Sequence, residues 1–219
     1  MKALVAGATG RTGKNIVMAL VQRGIPVKAL VRNLERAQEL LPPEVELVMG
    51  DVLNRDSLKA AIADCTVVLC ATGAAPSFDP TGPYQVDYEG TKNLVDVAVE
   101  HQIEQFVLVS SLCVSQFFHP LNLFWLILVW KKRAEDYIRQ SGLAYTIVRP
   151  GGLTEDDTTD AVVMSGADTL FDGRIPRSRV AEVCVEALVE PAAKNKVVEV
   201  VAKPEAAAKP FNELFASVA

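Results

Sequence analysis

The chain has 219 residues, 50% hydrophobic and 22% charged, enough for one globular domain with a sizeable core. Its formal net charge is −5 and its longest basic cluster is Lys131-Lys132-Arg133, so it has no basic face to neutralise nucleic-acid phosphates. The four cysteines, Cys65, Cys70, Cys113 and Cys184, form no CxxC pair and three lie in apolar runs, which predicts buried thiols in a reducing, cytoplasmic compartment and no metal site.

No signal peptide precedes the first predicted strand, Lys2–Ala6. That strand runs into Gly7-Ala8-Thr9-Gly10-Arg11-Thr12-Gly13, then into a segment ending at Arg23 with Ile16, Val17, Ala19 and Leu20 at helical spacing. Strand, glycine-rich turn, helix is the context in which spaced glycines bind phosphate. Gly7 permits the tight turn, Gly10 lets backbone approach a pyrophosphate, and Gly13 lets the helix pack on the strand with its free N–H groups facing the anion. The whole turn, with Thr9, Arg11 and Thr12, is a candidate dinucleotide-binding element.

The second strand, Val27–Val31, ends in Arg32, and no carboxylate follows until Glu35. A Rossmann unit that prefers NAD places an acid there, whereas an arginine offers a planar fork to a 2′-phosphate. Arg11 can approach the same phosphate from the other side, so the sequence predicts NADP(H); a solvated strand end is the alternative for Arg32 alone. After the helix Leu34–Leu40, the third strand, Val45–Met49, leads to Asp51, where an adenine would lie. An aspartate at a strand end also serves as a helix cap, a role Asp56 could fill ahead of the helix Arg55–Ile62. The fourth strand, Val67–Ala71, closes with Ala71-Thr72-Gly73, and the stretch Pro76–Pro83 is a candidate loop over the cofactor.

Further on come the helix Tyr88–Glu100, the strand Phe106–Ser110, the helix Leu128–Ser141, the strand Tyr145–Arg149, the helix Ser178–Val189 and the strand Val197–Ala202. Nearly continuous Val, Leu and Ala in the strands fits a sheet covered on both faces. The expectation is a single doubly wound α/β Rossmann domain over residues 1–202, with a mostly parallel sheet of about seven strands and a small substrate-side region. Residues 203–219 form a tail, with a Lys/Pro/Ala spacer before a short apolar end. The 14-residue run Phe117–Trp130 is too short for a membrane span. It can wall a pocket for a planar ligand, form an exposed patch for a partner or membrane, or pack into the core. His101, near a helix end, and His119, before a proline, are weak clues, since histidines so placed are more often structural than catalytic.

The motifs GATGRTG at 7–13, GDV at 50–52, ATG at 71–73, DYEGTKNLVDVA at 87–98, VSS at 109–111 and YTIVRPGGL at 145–153 resemble, in this order, the atypical short-chain dehydrogenase/reductase superfamily. Two groups within it are most similar. One is the NAD(P)H-binding domain of a redox-responsive chloroplast inner-envelope translocon subunit, which shares LNLFWLILVWKKRAE at 121–135; the other is the flavin reductase/biliverdin-IXβ reductase group. The first suggests a photosynthetic, cyanobacterial source. The resemblance implies that Asp51 and Val52 contact adenine and that Ala71, Thr72 and Gly73 line the dinucleotide near the nicotinamide ribose. It also implies that Ser110, Lys131, Pro150 and Gly151 lie against the cofactor, with Ser111 and Lys131 at the catalytic serine and lysine positions.

One position departs from the pattern. Ile127 stands four residues before Lys131, where standard members have the proton-donating tyrosine, and Tyr137 and Tyr145 are wrongly placed to replace it. Carbonyl chemistry is therefore disfavoured, while a flavin or a linear tetrapyrrole needs less help from a protein acid. The resemblance implies NADPH-dependent hydride transfer to such a planar acceptor. Its alternative is an NADP(H)-sensing protein that docks to a membrane or redox partner through Phe117–Trp130.

Overall fold

The structure, a computed structural model, describes residues 1–75, 77–156 and 158–218. Pro76, which opens the expected cofactor loop, and Ala219, which ends the tail, lie outside them. In chain order the elements are β1 (Ala3–Ala6), α1 (Arg11–Gln22), β2 (Val27–Val31), α2 (Leu34–Leu40), β3 (Glu46–Met49), α3 (Arg55–Ile62) and β4 (Val67–Cys70). A π-helical turn, Pro83–Gly90, then leads directly into α4 (Thr91–Glu100), followed by β5 (Gln105–Val109) and a short 3₁₀ turn, Pro120–Leu123. The rest comprises α5 (Ile127–Gln140), β6 (Tyr145–Pro150), β7 (Gly152–Thr154), β8 (Ala161–Gly166), β9 (Arg174–Pro176), α6 (Arg177–Val189), β10 (Lys196–Lys203) and α7 (Phe211–Ser217).

Eight strands form the main sheet in the order β3-β2-β1-β4-β5-β6-β10-β8, and β7 pairs with β9 in a separate ribbon. Seven of the eight strands run parallel; β8 returns antiparallel to β10, so the sheet holds one strand more than expected. Strands β1, β2, β4 and β5 are buried along their full lengths, as their apolar runs require, with Lys28 and Gln105 the buried polar residues among them. One face is covered by α1 and α6 through Ile16, Val17, Leu20, Val180, Cys184 and Leu188. The other carries Leu58, Ile62, Leu94, Val95 and Ile138 from α3, α4 and α5.

The apolar end of the chain folds as α7 and buries Leu214, Phe215 and Val218 in the first of these cores. Lys196 ties it to β10 by donating to the Phe215 carbonyl at 2.9 Å and to that of Val218. Strand order reverses between β1 and β4, so the crevice at their carboxyl ends is the expected ligand position of a doubly wound sheet.

Candidate functional site

The turn after β1 is built around backbone proximity. Gly7 has φ +80°, and a Cβ there would lie 2.6 Å from the Ala71 carbonyl oxygen. A Cβ on Gly13 would lie 2.0 Å from the Gly7 oxygen, so α1 rests on the turn only because position 13 has no side chain. Gly10 is the N-cap of α1, donating to the Gly7 carbonyl at 2.9 Å. No side chain caps the helix and its first turn has no acid, which leaves N–H groups and the positive dipole end free for an anion. This cradle fits a dinucleotide pyrophosphate. Thr9 and Thr12 are half-buried beside it.

Arg32 follows β2 as an exposed side chain, and among the described residues it makes no ion pair. Arg11 is also exposed, 3.3 Å from Glu155 Oε1, which in turn receives Arg177 at 2.8 Å. Asp51 lies just after β3, with Oδ1 accepting from Leu53 N at 2.9 Å. Neither Asp51 nor Asp56 caps α3; Asn54 does, accepting from Asp56 N and Ser57 N at 3.1 and 3.2 Å. Asp51 is thus held in a local turn with its outer oxygen free. Val52 is buried against Gly90, where a Cβ would come within 2.6 Å of it.

Between the ends of β4 and β5 is a small pocket lined by Thr72, Asp87, Thr91, Ser110, Lys131 and Ala134, among others. Its centre is an ion pair: Lys131 Nζ lies 2.8 Å from Asp87 Oδ1. The contact is close in distance but poorly aligned, so Oδ1 has a counter-charge without a well-directed hydrogen bond. Asp87 Oδ2 accepts from Ala74 N at 3.1 Å and fixes the start of the loop after β4. Burial works against the Lys131 charge, but the Asp87 carboxylate outweighs it and holds the ammonium pKa above its ordinary value. The sequence reading gave Asp87 no role, although it opens the motif shared with the family.

Ser110, rather than Ser111, lines this pocket, and its buried hydroxyl donates to Glu135 Oε1 at 2.5 Å. Ser111 is half-buried, and among the described residues its hydroxyl has no hydrogen-bond partner. One helical turn beyond Lys131, Glu135 receives Arg149 in a forked contact, Nε to Oε1 at 3.0 Å and Nη2 to Oε2 at 2.7 Å. Arg149 also reaches Asp168 at 2.9 Å and Glu199 at 3.2 Å, and Glu199 accepts the N–H groups of Asp168, Thr169 and Leu170. This buried network, absent from the sequence reading because its members lie far apart in the chain, fixes α5 against β6 and β10. Pro150 ends β6, and Gly151 follows so close to Gly173 that a Cβ would lie 2.6 Å from its carbonyl oxygen.

The apolar run is organised by Asn122. Its amide donates to the carbonyls of Gln116 and Phe117 at 3.3 and 2.8 Å and accepts from Leu128 N at 3.0 Å. Trp125 and Leu126 both adopt left-handed conformations just before α5. The core reading of this run is corrected over Phe117–Leu126: Phe117, Phe118, Leu121, Leu123, Phe124, Trp125 and Leu126 are all exposed, Phe118 at 96%. Asn122 is the buried residue within that stretch, and from Ile127 the chain turns inward with Leu128 buried. Ile127 opens α5 one turn ahead of Lys131. No described helix is long and apolar enough to cross a membrane.

A family model described as NAD(P)H-binding matches residues 7–191. A chloroplastic protein of Arabidopsis thaliana is 49% identical over 99% of this chain and 82% of its own length. The chloroplastic protein TIC 62 of Pisum sativum is 38% identical over 98% of this chain, which spans 45% of that relative. Sanguinarine reductase of Eschscholzia californica is 31% identical over 98% of this chain and 95% of its own length. Among solved structures, a putative NAD-dependent epimerase/dehydratase from Bacillus halodurans superposes with a TM-score of 0.86 at 28% identity, covering 99% of both chains.

Proposed function

The chain belongs to the NAD(P)H-binding oxidoreductase family, and from that premise we propose that it is an NADPH-dependent reductase of a planar acceptor. The observation that carries this reading is the uncapped N-terminus of α1, set over glycines at the β1/β4 crevice. In it, the first turn of α1 receives the pyrophosphate, Arg32 with Arg11 receives the 2′-phosphate, and Asp51 and Val52 border the adenine. Ala71, Thr72 and Gly73 line the ribose side with Pro150 and Gly151, while Asp87 holds Lys131 charged towards the ribose hydroxyls. The bound dinucleotide supplies a hydride. The chain orients the acceptor, excludes water and, with Ile127 in place of a tyrosine, offers no phenolic proton. A reductase among the relatives of matching length supports this class.

The test is steady-state NADPH oxidation with riboflavin, biliverdin, a quinone, an aromatic iminium and small aldehydes. Turnover of planar acceptors but not aldehydes is expected, and preferential aldehyde reduction would overturn the reading. A second reading, nucleotide-sensing with docking through the segment 117–126, is favoured by its seven exposed apolar side chains. It predicts nucleotide binding without turnover on any acceptor. The chain spans less than half of its TIC 62 relative, so translocon assembly remains a statement about that protein.

A further inference from the structure

We infer that Glu155 is a specificity-determining residue of the dinucleotide site: its carboxylate competes with the 2′-phosphate for Arg11 and so holds down the preference for NADPH over NADH. This rests on the reading above that Arg32 and Arg11 receive that phosphate. One carboxylate oxygen serves two guanidinium groups. Glu155 Oε1 lies 2.8 Å from Nη1 of Arg177, the first residue of α6, and 3.3 Å from Nη1 of Arg11, the first residue of α1. The first turn of α1 holds no acid of its own. The carboxylate that meets Arg11 is brought to it from the residue after β7.

The two contacts are unequal. The Arg177 side chain is only 10% exposed, and among the described residues Glu155 is its one ionic partner. A buried guanidinium left without a counter-charge is costly, so Arg177 keeps Glu155 in place. Arg11 is 75% exposed and reaches the same oxygen over the longer distance. An ion pair so exposed holds its partner by up to about fivefold, which a phosphate can outbid. Arg11 is therefore the partner that can be traded, and Glu155 stays behind when it leaves.

Sheet order shows which ligand group must make that trade. β2 flanks β1 on one side, and β4, β5 and β6 follow on the other. Arg32 stands beyond the end of β2. α6 lies over β5 and β6, where Gln105 Nε2 of β5 donates to the Ala187 carbonyl of α6 at 2.8 Å. α1 packs on β1 and β2 and runs beside α6 in the same core. Glu155 thus draws Arg11 towards α6 and away from Arg32. A 2′-phosphate at Arg32 recruits Arg11 only by taking it from Glu155. The pyrophosphate is received by the free N–H groups of the turn and makes no such demand. NADH carries no 2′-phosphate and leaves the tie intact, so the cost falls on NADPH.

Calorimetric titration of the whole chain with NADPH, NADH, 2′,5′-ADP and ADP tests this. Glu155→Gln should bind NADPH and 2′,5′-ADP about three- to fivefold more tightly than the parent, with NADH and ADP unchanged. Adding Arg11→Ala should erase the gain. Glu155→Gln leaves Arg177 buried without its counter-charge, so Glu155→Gln/Arg177→Met, which removes both charges, repeats the measurement, and thermal unfolding follows each variant. The double variant should keep the gain in NADPH affinity. Unchanged NADPH affinity in both variants, equal tightening of NADPH and NADH, or a gain that survives Arg11→Ala overturns the inference and leaves the 2′-phosphate reading standing. Equal affinity of the parent for NADPH and NADH, with no effect of Arg32→Ala, is the separate result that removes that reading.

Discussion

The Lys131 ammonium and the Asp87 carboxylate meet 2.8 Å apart between α5 and the π-helical turn that opens α4. The Asp87 side chain is fully buried and that of Lys131 is only 16% exposed, so neither charge is hydrated well enough to stand alone. Removing one partner of such a pair costs about 3–5 kcal/mol, because the remaining charge stays buried. Asp87→Asn should therefore lower the unfolding free energy by about 3 kcal/mol, read from urea titrations. Adding Lys131→Met to it should restore part of the loss. A single-variant change below about 0.5 kcal/mol would show that water reaches Lys131 freely.

Arg32 should set the choice of dinucleotide. It is exposed at the end of β2 and free of ion pairs, whereas Arg11 is shared with Glu155. Losing a charge-assisted, forked contact to a 2′-phosphate costs about 1.5–3 kcal/mol, or ten- to a hundredfold in affinity. Arg32→Ala should weaken NADPH binding by that factor and leave NADH unchanged in calorimetric titrations. Equal affinity of the parent protein for the two nucleotides would remove the assignment.

The phosphate turn was legible in the sequence because its physics is local: Gly7, Gly10 and Gly13 act within one turn of chain, flanked by a strand and a helix. The central parallel strands were legible because burial on both faces leaves a nearly continuous apolar run. β8 was not, since Ala161–Gly166 is partly exposed and includes Ser165 and Gly166. Asp87, Glu135, Arg149 and Glu199 were missed for another reason. Each is an ordinary charged residue until the fold brings α5 against the π-helical turn on one side and against β6 and β10 on the other, and spacing along the chain carries no trace of those meetings. The apolar run was ambiguous because a hydrophobic string reads alike whether it is core, wall or surface.

Stability in acid should depend on Asp64. Hydrogen bonds from Lys2 and Lys28 pull its pKa down to about 2, with their charges adding to the effect. A carboxyl group with a lowered folded-state pKa stabilises the fold above its unfolded-state pKa, near 3.8, and loses that contribution as pH falls towards 2. The parent protein should lose stability across this window. Asp64→Asn should be less stable at pH 7 yet show a shallower decline between pH 4 and 2, measured by urea midpoints. Parallel pH profiles for the two proteins would exclude Asp64 as the group responsible.

Ser111 should matter modestly to turnover. Its hydroxyl has no partner among the described residues, and direct hydride transfer to a planar acceptor asks it for no obligatory proton. Ser111→Ala should lower kcat by roughly tenfold, short of the 10²–10⁴ expected for an essential general acid. Abolished turnover with intact NADPH binding would identify Ser111 as a proton donor.

The exposed run and the buried residue that follows it should respond oppositely to substitution. Phe118 and Leu123 are 96% and 84% exposed, so Phe118→Ser and Leu123→Ser remove almost no buried surface and should shift stability by less than about 0.5 kcal/mol. Leu128, two residues into α5 and 1% exposed, packs with Leu112, Val114 and Val201, and Leu128→Ala should cost about 2–5 kcal/mol. The same serine variants probe what the surface does. If residues 117–126 dock to a membrane or partner, Phe118→Ser/Leu123→Ser should abolish co-sedimentation with vesicles and leave acceptor reduction unchanged. If Phe124 and Trp125 instead border the acceptor, Phe124→Ser and Trp125→Ser should raise its KM several-fold with no vesicle effect. The Trp125 indole, which donates to the Ser77 carbonyl at 3.2 Å, ties this segment to the loop after β4 and makes the KM outcome the expected one for that residue. Vesicle binding lost in Trp125→Ser with unchanged kinetics would place Trp125 on the docking face instead.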